Sequence, residues 1–345
     1  MKNRAAFMTG LRKMEFRDVP MPSPKDGEVV VKLEYVGICG SDVHYYEHGR
    51  IGDYIVDGDF ILGHECAGSV YEVGPNVKKL KVGDRVALEP GLVCGKCEYC
   101  LTGRYNLCPS VEFFATPPYH GCFENFVAFP EHRAFKLPDN VSSKEGALIE
   151  PLAVGLEAAS VAGVGLGDSA VILGSGCIGL MSLLACKARG AADVTVADVI
   201  PRRLEKAMKL GATRVIDASK TDSTKAILEA TGGQGADIVM ETAGATVTTQ
   251  QTPFAVKRGG TIVLVGMPPD DVIPFNFAKL MGQVADVRTI FRYKNQYPVA
   301  INALSSGAID VSGVASDEFK FEDLAEAFRV NIENKNDVVK IVIKM

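Results

Sequence analysis

The sequence has no tryptophan, only 5 histidines, no excess of positive charge and no long unbroken apolar run. With 37 Lys and Arg against 42 Asp and Glu the formal net charge is -5, so there is no basic footprint for nucleic acid. The longest weakly polar stretch, residues 171–186, is broken by Gly174, Ser175, Gly176 and Gly179 and is shorter than a membrane span. It reads as a buried strand followed by a helix, and no membrane partner is expected. Residues 1–14 carry Lys2, Arg4, Arg12 and Lys13 but lack the apolar core and cleavage site of a secretory signal. A cytoplasmic location is expected.

What is present points elsewhere. At 345 residues the chain is long enough for two domains, and 47% hydrophobic with 23% charged residues argues against disorder. Its 35 glycines suggest tight turns and close backbone approaches, as phosphate-binding α/β proteins require. The 9 cysteines, in a reducing compartment, point to metal or catalysis rather than disulfides. Four of them fall between Cys94 and Cys108.

The first 150 residues or so read as strands and turns, for example residues 29–35 and 82–88, with Gly63-His64-Glu65 strand-like and residues 39–44 on a loop. Short apolar strands then alternate with helices: residues 170–173, 193–197, 214–217, 236–240 and 261–265, with helical stretches such as 177–189 and 202–210 between. That alternation implies a doubly wound parallel sheet. Beyond about residue 288 come helices near 298–305 and 321–331 and a closing strand at 339–343.

Gly174-Ser175-Gly176-Cys177-Ile178-Gly179 fits G-x-G-x-x-G between a strand and a helix, the context of a dinucleotide site. Gly174 makes the turn, Gly176 admits the pyrophosphate and Gly179 allows close packing, while the helix start offers amides to the phosphates. Asp198, at the end of the next strand, is placed to accept from the ribose hydroxyls, which favours NAD over NADP. Arg202 and Arg203 pull the other way, because a nearby arginine can hold a 2′-phosphate.

Cys94, Cys97, Cys100 and Cys108 follow C-x2-C-x2-C-x7-C, with no histidine among them. Four thiolates close a tetrahedral structural zinc site; an iron–sulfur cluster also takes four cysteines, but its common runs are spaced differently. A second set is dispersed: Cys39, His64, Glu65 and Glu150. Glu150 sits between Ala147-Leu148-Ile149 and Pro151-Leu152-Ala153, an apolar context in which a carboxylate is costly to bury without a metal or proton partner. Thiolate, imidazole and carboxylate together make a mixed zinc site that can leave one position open. Neighbouring strand residues face opposite ways, so His64 and Glu65 share a metal only if the backbone bends; otherwise Glu65 stands behind the ligands. Asp42 is placed to orient His64.

Gly63-His64-Glu65-Cys66-Ala67-Gly68, with Gly74 and Val77, resembles the zinc signature of medium-chain alcohol dehydrogenases. Cys39-Gly40-Ser41-Asp42-Val43-His44-Tyr45, Phe114-Ala115-Thr116-Pro117-Pro118, Leu148-Ile149-Glu150-Pro151-Leu152 and Phe291-Arg292-Tyr293 resemble the polyol branch, the sorbitol and xylitol dehydrogenases. The resemblance runs from near residue 5 to the C-terminus. It implies a GroES-like β-rich catalytic domain over 1–153 and 289–345, with a zinc lobe near 90–110, around a Rossmann NAD-binding domain over 154–288. It implies two zincs per subunit: a catalytic one on Cys39, His64, Glu65 and Glu150, the last directly or through water, and a structural one on the lobe. It implies NAD beside Gly174, Gly176, Ile178, Gly179, Asp198 and Arg203, with Val265, Gly266, Met267, Phe291 and Arg292 along the nicotinamide. It also implies a homotetramer.

The expected reaction is oxidation of a polyol secondary alcohol to the ketose, and its reverse. Ser41 and His44, or water and Glu150, would carry the proton, and Tyr45, Glu150, Arg292 and Tyr293 would hold the substrate. The alternatives are a relative acting on a small diol or L-threonine, or a non-catalytic binder of NAD or zinc. Cys177 stands where many of these dehydrogenases have proline, leaving the three glycines in place. Some animal sorbitol dehydrogenases have lost the lobe cysteines, so the lobe zinc is expected to be dispensable for chemistry.

Overall fold

The structure is a computed structural model describing residues 2–268 and 272–345, and the chain divides into two compact units. The first comprises Met1–Glu150, Tyr297–Ser306 and Ala315–Met345. Its main sheet has seven strands. Glu28–Gly37 lies near the centre because nearly every second position is apolar and buried, and it pairs antiparallel with Glu65–Val73, Phe126–Pro130 and Ile341–Lys344. Gly37 pairs with Glu65 on one side and Val342 on the other, so one strand separates the C-terminal strand from the strand that begins at Glu65. One core of aliphatic and aromatic side chains, including Leu33, Ile38, Leu62, Phe123, Phe129 and Phe328, joins these strands to the smaller sheet of Asn3–Gly10, Lys13–Val19 and Phe60–Ile61.

Residues 39–44, expected as loop, instead open a helix, Gly40–His48. Cys39 is its cap residue, and the Asp42 carboxylate accepts from the Cys39 amide at 3.0 Å, closing the first turn. Gly49, at φ 72°, ends it. Ser41, Asp42, His44 and Tyr45 are therefore on one helix, not on a mobile connection.

The second unit comprises Pro151–Gln296 and Gly307–Val314. Its six strands run in the order Arg214–Asp217, Asp193–Asp198, Ser169–Leu173, Ala236–Glu241, Val256–Leu264, Asp286–Thr289, all parallel. Counted along the chain this is 3-2-1-4-5-6, the doubly wound dinucleotide-binding order, which opens a crevice beyond strands 169–173 and 236–241. The strands are short and apolar because helices cover both faces. The expected boundaries differ from these units: residues 151–153, 289–296 and 307–314 lie in the second, with Thr289 paired to Leu264, Lys294 and Gln296 bonded to Glu157, and the Val314 carbonyl accepting from Lys206 at 3.2 Å. Among the described residues no helix is long and apolar enough to cross a membrane.

Candidate active site

His64 is delivered by a bend rather than by a strand. Gly63 adopts φ 91°, a left-handed conformation that favours glycine, and the strand begins only at Glu65. The bend resolves the alternation problem: one donor atom from each of Cys39, His64 and Glu65 lies within 4.8 Å of the others. Asp42 supports the arrangement. It is fully buried, accepts from the Cys39 and Gly63 amides at 3.0 and 2.9 Å, and has Oδ1 3.5 Å from His64 Nδ1.

Burial pushes the His64 pKa down, but the Asp42 charge and then Cys39 beside it carry it well above its ordinary value. Asp42 is the reciprocal case: burial raises its pKa, and the His64 charge and the two amides more than offset this. The 3.5 Å separation is long for a hydrogen bond, so the buried imidazole retains bonding capacity beside a thiol and a carboxylate. That donor set suits zinc.

Glu65 is fully buried, and its carboxylate lies over Gly37, where any Cβ would come within 2.0 Å of Oε2. Lys340 Nζ, itself 3% exposed, donates to both Glu65 oxygens at 2.7 and 2.8 Å and to the Ile38 carbonyl at 2.9 Å. Nothing in the sequence pattern singles out Lys340, a lysine beside an alternating strand whose partner is 275 residues away. Glu150 is buried in the first turn of the helix Ile149–Ala162, and among the described residues it does not join the 4.8 Å cluster. His44 is exposed, its ring edge-on to His48 at 4.7 Å, and burial of its inner side together with the His48 charge lowers its pKa. Ser41 is half-buried, and Tyr45 is buried within 6.4 Å of the Phe60 ring.

The lobe gathers Cys94, Cys97, Cys100 and Cys108 so that one sulfur from each lies within 4.8 Å of the others. Sulfur separations of 3.5 Å (Cys97 to Cys100) and 3.9 Å (Cys94 to Cys100) bracket the roughly 3.8 Å edge of a tetrahedron with zinc–sulfur bonds of about 2.3 Å. The lobe cysteines fit the ion. The Lys96 and Cys97 amides lower the Cys94 thiol to about 6, which favours a thiolate there. Beside the lobe, Glu89 accepts from Tyr105 at 2.6 Å and from Arg133 at 2.7 Å, anchoring it to the main sheet.

In the second unit the glycine loop leads into the helix Cys177–Ala188. Gly174 takes φ 104°, and a Cβ on Gly179 would meet the Gly174 carbonyl at 2.0 Å, so the packing is closed to larger residues. At Gly176 the nearest such contact is Arg203 at 3.9 Å, leaving a cradle beside a guanidinium in which a dinucleotide phosphate fits. Ile178 is half-buried on the first turn of the helix. Asp198 accepts from Ser175 N and Oγ at 2.6 and 2.8 Å and from Ile200 N at 2.9 Å, which fixes its carboxylate at the strand end. Val265 and Gly266 donate to the Glu241 carbonyl, and Met267 is 70% exposed. The Arg292 guanidinium lies 4.9 Å from the half-exposed Phe291 ring, and Tyr293 is buried.

Two family models match: the alcohol dehydrogenase GroES-like domain over residues 25–139, and zinc-binding dehydrogenase over residues 177–306. The chain belongs to the zinc-dependent medium-chain alcohol dehydrogenases. Within them it falls in the polyol branch. It is 42% identical to the sorbitol dehydrogenase of Bacillus subtilis, covering 99% of this chain and 96% of that one. It is 48% identical to an uncharacterised zinc-type alcohol dehydrogenase-like protein, YdjJ, of Escherichia coli, covering 100% and 99%. A solved Escherichia coli oxidoreductase/dehydrogenase of unknown specificity superposes with a TM-score of 0.96 at 47% identity, over 100% of this chain and 99% of that one. As a member of this family the dehydrogenase uses zinc and a nicotinamide dinucleotide.

Proposed function

We propose that this dehydrogenase oxidises a polyol at a secondary alcohol to the corresponding ketose, sorbitol to fructose or xylitol to xylulose, and catalyses the reverse reduction. The observation that carries the reading is the convergence of Cys39, His64 and Glu65 beside buried Asp42, in a chain similar to sorbitol dehydrogenase. When bound, zinc lowers the pKa of the alcohol and the nicotinamide accepts hydride.

The protein's own groups do the rest. Cys39, His64 and Glu65 hold the metal, Glu150 completes the set directly or through water, and Asp42 keeps the imidazole oriented. His44, three residues after Ser41 on one helix, has its pKa lowered by burial and by the His48 charge, so its ring accepts the proton and readily passes it on to solvent. Tyr45, Glu150, Arg292 and Tyr293 hold the remaining hydroxyls. Asp198 favours NAD, because its fixed carboxylate repels a 2′-phosphate. Val265, Gly266, Met267 and Phe291 line the nicotinamide.

Two further elements belong to this reading. A homotetramer is supported by the edge strand Asp286–Thr289, all four residues of which are exposed. The cytoplasm is supported by nine cysteines that form no disulfide among the described residues.

Cys39→Ala and Glu150→Ala test the assignment. Each is expected to abolish polyol oxidation while NADH binding, followed by nucleotide fluorescence, persists. Near-normal turnover in both variants contradicts it.

A further inference from the structure

Residues 290–295 link the strand Asp286–Thr289 to the helix Gln296–Ser305 and have no regular structure of their own. Two of them, Arg292 at φ 56° and Asn295 at φ 58°, hold left-handed conformations that non-glycine residues rarely adopt and that persist only when the surroundings impose them. One carboxylate contributes two bonds to those surroundings. Glu157, 4% exposed on the helix Ile149–Ala162, gives its two oxygens to two residues where the segment runs into the helix Gln296–Ser305. Oε1 accepts from Lys294 Nζ at 2.5 Å, and Oε2 accepts from Gln296 Nε2 at 2.8 Å.

We propose that Glu157 is a positioning residue for substrate, clamping residues 294 and 296 so that Arg292 and Tyr293 are held ready for the polyol hydroxyls. The inference rests on the polyol reading above. A buried carboxylate needs a full complement of donors, and one of Glu157's two is a cation. Rotating the loop strips that partner away inside the protein, so the loop stays in place before substrate arrives. Binding then loses no freedom in ordering Arg292 and Tyr293. The segment holds two proposed polyol contacts, Arg292 and Tyr293, and one residue along the nicotinamide, Phe291. It holds no residue of the zinc sets or the glycine loop, so the clamp governs affinity for polyol more than for NAD and leaves zinc alone.

Glu157→Gln retains the side-chain shape but leaves Lys294, about one-third exposed, to turn to water, so the fold survives. The expected result is a rise of about tenfold in KM for the polyol. KM for NAD rises less than KM for the polyol, and zinc per subunit is unchanged. Amide hydrogen exchange over residues 290–296 quickens. The swap Glu157→Lys with Lys294→Glu returns both readouts toward wild type, since the Gln296 amide can turn its carbonyl to the new lysine. A lowered Tm with unchanged polyol KM and unchanged exchange overturns the clamp. If the wild-type enzyme turns over no polyol, the proposed function fails and the exchange measurement alone decides the clamp: faster exchange supports it, unchanged exchange overturns it.

Discussion

Lys340 Nζ lies 2.7 and 2.8 Å from the two carboxylate oxygens of Glu65, a pair 275 residues apart and closed from solvent. The register explains the meeting: Gly37 pairs with Glu65 on one side and Val342 on the other, and Lys340 lies two residues before that pairing. The lysine pairs with Glu65, so a cation of the protein itself holds this carboxylate beside Cys39 and His64.

Lys340→Met leaves the buried Glu65 carboxyl without its partner. Unfolding in urea is expected to show a loss of about 3–5 kcal/mol, the usual cost of stranding one member of a buried pair. Adding Glu65→Gln to that variant is expected to recover most of the loss. A loss unchanged in the double variant contradicts the pairing account.

Asp42→Asn removes the negative charge that faces His64 and weakens the acceptor at the first turn of the helix Gly40–His48. Zinc affinity at the Cys39 and His64 centre is expected to fall about 10–100-fold in a chelator competition. The lobe zinc should be retained at wild-type affinity, which separates a local effect from general loosening.

How much of this was legible in sequence depends on distance along the chain. The glycine loop runs from strand to helix within contiguous residues, and the lobe cysteines lie within one short segment, so both could be read directly. The helix Gly40–His48 was hidden because its cap is a cysteine, which does not signal a helix start, although Asp42 at the third position is the second half of the signal. The bend at Gly63 that lets His64 and Glu65 share a centre is a backbone property with no pattern of its own. Lys340 with Glu65, and Lys294 with Glu157, are separated by 275 and 137 residues, and only the strand registers and helix packing bring them together.

Cys100→Ser opens the lobe cluster without touching the other centre. Zinc is expected to drop from two to one per subunit and Tm to fall, because lobe ordering depends on the ion. Turnover at saturating substrate should stay within a few-fold of wild type; its abolition would show that the lobe acts in the chemistry.

Glu124 gives a pH signature. Burial raises its pKa from 4.5 to about 7, against the opposing hydrogen bond from Asn3 at 2.9 Å. Between pH 4.5 and 7 the folded chain retains a proton that the unfolded chain has lost, so this group's contribution is full below that window and is lost as pH rises through it. The loss should be on the order of 1–3 kcal/mol. Glu124→Gln is expected to flatten the stability profile over this window; an unchanged slope contradicts the assignment.

The most direct test of the account is an NAD-coupled panel of sorbitol, xylitol, ribitol, 2,3-butanediol and L-threonine on the purified enzyme, run alongside zinc stoichiometry. The account predicts two zincs per subunit and a polyol with the highest kcat/KM. Turnover of 2,3-butanediol or threonine far above every polyol, or full activity without zinc, would contradict it.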